Sequence, residues 1–131
     1  MSIRVLIRSL FAIWAIAVAV LSVISYPGSK DLLMSVKLTS SGFVVHGVAY
    51  FVGILLCYFS FNKKNISFVL WAGLLIFLFG VVLEVVQFYL PYRTFNVYDV
   101  VGNGVGILSF VFIWMIAFKS SRKGAKTQRR E

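Results

Sequence analysis

The stretch from Ser67 to Leu90 reads SFVLWAGLLIFLFGVVLEVVQFYL, 24 residues in which Glu84 is the one charged side chain. A helix rises about 1.5 Å per residue and the hydrocarbon core of a bilayer is about 30 Å thick, so about 20 apolar residues suffice to cross it. In lipid no water is at hand for backbone N–H and C=O groups, and a segment must bond its own. The run is therefore expected to be a helix, despite its Val, Ile and Phe content. Three more runs flank it: Val5 to Ile24, Gly42 to Phe61, and Asp99 to Phe118. The expected fold is all-α, a four-helix transmembrane bundle with short loops.

Composition supports a bilayer as the solvent. Of 131 residues, 60% are hydrophobic and 13% charged, against about 45–50% and about 25% in soluble domains. A globule this small cannot hide so much apolar surface. Residues 1–118 read as one membrane domain and 119–131 as a basic cytoplasmic tail, polar enough to be expected disordered. Arg4 and Arg8 precede the first run, as in a signal peptide. However, Ser25-Tyr26-Pro27-Gly28 reads as a turn rather than a small-residue cleavage site, so the run is expected to stay as a span. The single cysteine, Cys57, lies inside an apolar run and has no partner for a disulfide.

The net charge of +9 raises the question of nucleic acid. The cations sit at the ends of the apolar runs, which fits membrane orientation and anionic lipid headgroups instead. Arg4, Arg8, Lys63, Lys64, Lys119, Arg122, Lys123, Lys126, Arg129 and Arg130 fall on one side of the four spans, and Lys30, Lys37 and Arg93 on the other. Ten against three makes the first side cytoplasmic, with both termini inside.

That orientation gives each polar residue a depth. His46 lies just inside the outer end of the second run, with Tyr50 one turn deeper on the same face. Glu84 lies six residues before Leu90, and Gln87 follows it at i+3. Asp99 and Asn103 open the fourth run at i and i+4, with Arg93 in the loop before them. Three helices thus each bring a polar pair to one leaflet. Polar groups in a membrane are functional candidates by default. Each also has a plainer role. Asp99 is a candidate helix cap, Asn103 and Tyr50 candidate interhelical bonds, and Glu84 a candidate salt-bridge partner of Arg93. Gly102 and Gly106 form a GxxxG spacing that permits close helix approach, which points to the fourth helix as the inner one.

The block from Gly80 to Gly106, GVVLEVVQFYLPYRTFNVYDVVGNGVG, resembles the signature of the VanZ-like family: Glu84, Gln87 three on, Arg93 after Pro91, Asp99, then Asn103-Gly104. His46 and Tyr50 match the family's His and Tyr on an earlier helix, and the four-span layout matches too. One departure is Gly42-Phe43, where members often carry Asp-Lys. The resemblance implies a bacterial plasma-membrane protein of the kind named for low-level resistance to the glycopeptide teicoplanin, but supplies no reaction.

Two readings follow. In the first, an outer-leaflet site binds or modifies a cell-envelope amphiphile, a lipid-linked wall precursor or a lipoglycopeptide. Arg93, Gln87, Asn103 and Tyr50 hold it, and Glu84, His46 and Asp99 are the acid/base candidates. In the second, the same residues are a packing network in a non-catalytic partner subunit of an envelope complex. A proton-relay transporter built on Glu84 fits less well, because the inner half offers no polar path. No Walker loop, HExxH motif or serine-nucleophile setting is present, and the spacing implies no cofactor or metal.

Overall fold

The computed structural model describes residues 2–24, 39–61, 65–91 and 95–127. Among them are four helices and no strand: α1 (Ile3–Val23), α2 (Thr39–Ser60), α3 (Ile66–Phe88) and α4 (Val97–Thr127). All four are long and apolar enough to cross a membrane. The expected all-helical bundle is therefore the observed one, with most ends shifted by a few residues and the last helix running nine residues further.

The shifts have local causes. The Asn65 side chain accepts the Phe68 N–H at 2.8 Å and starts α3 at Ile66, as a good N-cap does. At the other end, Tyr89 N–H bonds to Val86 O at 3.1 Å and Leu90 N–H to Gln87 O at 3.0 Å. These tight bonds close α3 at Phe88 rather than Leu90, ahead of Pro91, which has no N–H to continue a helix. Before α4, Asn96 accepts the Tyr98 N–H at 3.1 Å. Asn96 is the capping side chain there, and Asp99 sits inside the first turn. A carboxylate in that position is stabilised by the helix dipole. α4 also continues past Phe118 to Thr127, through Lys, Arg and Ala positions of good helix propensity.

α2 touches all three other helices, whereas α4 packs on α2 and α3 without reaching α1 among the described residues. α3 likewise touches all three others, and α4 has the largest buried share of the four spans. The core joins Tyr50 and Ile54 of α2, Val69 and Ile76 of α3, and Phe110 and Trp114 of α4. α1 lies on the outside and has no buried residue. Two polar contacts still hold it: the Trp14 indole donates to Ala49 O at 2.9 Å, and Arg8 Nε donates to Ser60 O at 3.1 Å. Outward-facing Ile16, Leu75 and Leu108 are each more than half exposed. In water such faces would associate; in lipid they meet their solvent.

Candidate functional site

The site begins with a backbone contact. A Cβ on Gly102 would lie 2.6 Å from Phe43 O, and one on Gly106 would overlap Gly47 O. Phe43 and Gly47, one turn apart on α2, therefore lie directly against Gly102 and Gly106 on α4. Only glycine permits two helix backbones to come this close. The GxxxG spacing works as expected, as the seam between α2 and α4.

That seam brings His46 and Asn103 face to face. His46 Nδ1 lies 2.9 Å from Asn103 Oδ1, and on its other side Nε2 lies 3.8 Å from Asp99 Oδ2. The imidazole is clamped between the two polar residues that open α4. Glu84 enters from α3. One ligating atom from each of His46, Glu84 and Asp99 lies within 4.8 Å of the others. Tyr50 stacks its ring beside His46, with centroids 6.4 Å apart and planes 8° from parallel.

Deeper in, Tyr50 and Asn103 converge on Gly80. A Cβ there would lie 2.6 Å from both the Tyr50 hydroxyl and Asn103 Nδ2. Gly80 thus leaves room for two polar side chains to enter the bundle, a role that its spacing from Glu84 alone did not show. Gly42 does the same at the rim, where a Cβ would sit 2.9 Å from Asp99 Oδ1. The departure from the Asp-Lys pattern at 42–43 therefore lies against the site.

Burial grades across the cluster. Glu84 and Asn103 are each 1% exposed and Tyr50 2%, while the side chains of His46 and Asp99 are 27% and 16% exposed. Asp99 Oδ1 is buried without a hydrogen-bond partner among the described residues. Gln87 is buried on the same face of α3 as Glu84. All the sequence-derived candidates that the structure describes, His46, Tyr50, Glu84, Gln87, Asp99 and Asn103, meet at one end of the bundle. Arg93 lies outside the described residues, as do the loop cations Lys30, Lys37, Lys63 and Lys64.

A cavity of about 160 Å³ opens on this cluster, lined by His46, Tyr50, Gln87 and Asp99 on one side and by Val18, Leu21 and Ser22 of α1 on the other. The α1 wall is the part that sequence reasoning missed, since Ser22 is its one polar signal. A larger cleft of about 300 Å³ between α3 and α4, lined by Leu70, Phe77, Leu108 and Val111 among others, is apolar and has the character of a lipid-facing surface. The cluster combines a clamped imidazole, two carboxylates, two amides and a phenol beside an open space. It can donate and accept hydrogen bonds to a polar headgroup and exchange protons with it.

The family model described as VanZ/LLP1 matches residues 5–119. No curated protein and no solved structure matches.

Proposed function

The chain belongs to the VanZ/LLP1 family, and from that premise we propose that its polar end binds a cell-envelope amphiphile at the outer leaflet of a bacterial plasma membrane. The observation that carries this reading is the cavity itself. One wall is α1 with Val18 and Leu21, and the other presents His46, Tyr50, Gln87 and Asp99. An amphiphile has the matching halves, acyl chain and polar headgroup. The excess of Lys and Arg in the other loops and the tail supports placing both termini in the cytoplasm and this end outside.

In this reading Gln87, Asn103 and Tyr50 orient headgroup atoms. Arg93, six residues before Asp99 in the sequence, holds a phosphate or carboxylate by paired hydrogen bonds. Where a reaction follows binding, His46, Glu84 and Asp99 are the proton-transfer groups. Lipid-linked wall precursors and lipoglycopeptides such as teicoplanin both have the required shape. Reduced teicoplanin susceptibility is the expected cellular effect.

A second reading has its own observation. The His46–Asn103 contact ties α2 to α4 across the glycine seam, as a purely structural network would. In that case the chain is a non-catalytic partner subunit of an envelope complex. Susceptibility to teicoplanin and vancomycin in a Gram-positive host, with wild type, Glu84→Gln, Arg93→Ala or Asn103→Ala at matched membrane levels, separates the two. Loss of the effect with unchanged detergent stability supports the binding site. Loss in step with stability supports the structural network, and full retention in all three variants refutes the binding site.

A further inference from the structure

We propose that His46, Glu84 and Asp99 form a binding site for one divalent first-row transition-metal ion, of which zinc is the reference case. The three come from three different helices, α2, α3 and α4. Their ligating atoms nevertheless converge to within 4.8 Å of one another. An ion about 2.1 Å from each donor needs them about 3–4 Å apart, so the set has to contract by about 1 Å. Small side-chain rotations supply that.

The chemistry of the donor set selects the ion. One imidazole with two carboxylates suits zinc, iron or manganese, whereas magnesium and calcium prefer all-oxygen shells. The charge also fits, since a dication matches two carboxylates in a setting where charge is costly. Asp99 Oδ1, buried and without a hydrogen-bond partner among the described residues, keeps acceptor capacity for a cation.

The orientation of His46 is the second, independent observation. Its Nδ1 faces Asn103 Oδ1 at 2.9 Å. An amide oxygen accepts only, so with Oδ1 facing the ring the bond is made by the tautomer in which Nδ1 donates. In the neutral ring Nε2 is then a bare lone pair, and it faces another acceptor, Asp99 Oδ2, at 3.8 Å. Two acceptors so placed can share a cation, either a metal ion or the second proton of an imidazolium, and the test below separates the two. A histidine whose far N–H is held by an oxygen acceptor is also how metal-binding imidazoles are usually oriented. Asn103 is then a positioning residue for the ligand His46. The cavity beside His46 and Asp99 gives the ion open space on one side, into which a phosphate or carboxylate headgroup can reach.

This inference uses the same cluster as the proposed function but not the amphiphile, and its test reads metal rather than susceptibility, so either can fail alone. The full-length chain is purified in detergent with a tag that contains no histidine run. Metal content is measured before and after chelation, and Zn²⁺ and Co²⁺ are titrated back. The expected result is one ion per chain, a visible Co²⁺ absorption band, and a melting temperature that rises with Zn²⁺. His46→Ala and Asp99→Asn abolish stoichiometric binding, and Asn103→Ala weakens it about 10- to 100-fold. If a ligand variant does not fold, the wild-type stoichiometry and Co²⁺ spectrum still decide. The proposal is overturned if wild type stays far below one ion per chain under Zn²⁺ excess, or if folded His46→Ala binds as wild type does. In the first case the Asn103 amide points the other way, and the ring presents an N–H to Asp99 as an ordinary hydrogen-bonded pair.

Discussion

Replacing Gly102 with alanine tests whether the backbone seam builds the site. The added Cβ would lie 2.6 Å from Phe43 O, and ordinary contact begins at 3.4 Å. Neither atom belongs to a flexible side chain, so α2 and α4 have to part by about 0.8 Å there. His46 and Asn103 face each other across the same seam at 2.9 Å. Parting by that amount takes the pair to about 3.7 Å, beyond hydrogen-bond range. Overpacking of this kind costs about 1–3 kcal/mol and the lost hydrogen bond about 1 more. The sum is about 2–4 kcal/mol, measurable by reversible unfolding in mixed micelles. Gly104→Ala is the internal control. Its Cβ would meet only the Phe77 ring, at 3.5 Å or more, and alanine is the better helix former by up to about 1 kcal/mol. That variant is expected to unfold like wild type or slightly later. Equal stability of the Gly102→Ala and Gly104→Ala proteins would refute the seam argument.

Gly80→Ala pushes a methyl to within 2.6 Å of the Tyr50 hydroxyl and Asn103 Nδ2; because both are side-chain tips that can turn away, the expected outcome is a modest stability loss of about 1 kcal/mol with a large loss of site function, read by micelle unfolding beside the susceptibility assay. Trp14→Phe removes the bond from the indole to Ala49 O at 2.9 Å, and an interhelical bond in a membrane contributes about 0.6–1 kcal/mol; faster hydrogen exchange confined to α1 would report the loosening, and unchanged exchange would count against the contact. Orientation is testable in a Cys57→Ala background: single cysteines replacing Thr94 and Lys64 should react with an impermeant maleimide in intact cells at position 94 alone, and reaction at position 64 instead would reverse the topology.

The four spans were legible because a membrane helix is declared by length and apolarity alone, and both survive without knowledge of the partners. The face each helix turns inward was not legible from apolar residues. In lipid the outer faces are as apolar as the core, so periodicity fades. Polar residues carried that information instead. His46, Glu84, Gln87, Asp99 and Asn103 marked inward faces because lipid excludes them, and five such marks placed the site at one end. The capping role of Asn96 was hidden by Asp99, a residue of equal capping propensity three positions on. The α1 wall was hidden because Val18 and Leu21 look the same whether they line a cavity or face an acyl chain.

The gradient of burial argues for a direction of approach. Glu84 and Asn103 are closed off at 1% exposure, while His46 and Asp99 retain 27% and 16%. The more exposed pair, His46 and Asp99, lines the cavity whose far wall is α1. α1 is also the helix with no buried residue and no contact with α4 among the described residues. The tightest packing, the glycine seam, lies on the opposite side of α2, where it fixes His46 against Asn103. The bundle thus sets a polar wall, held by backbone contact, against a wall joined mainly by side chains. In the proposed function, the first positions a headgroup and the second admits an acyl chain from the lipid.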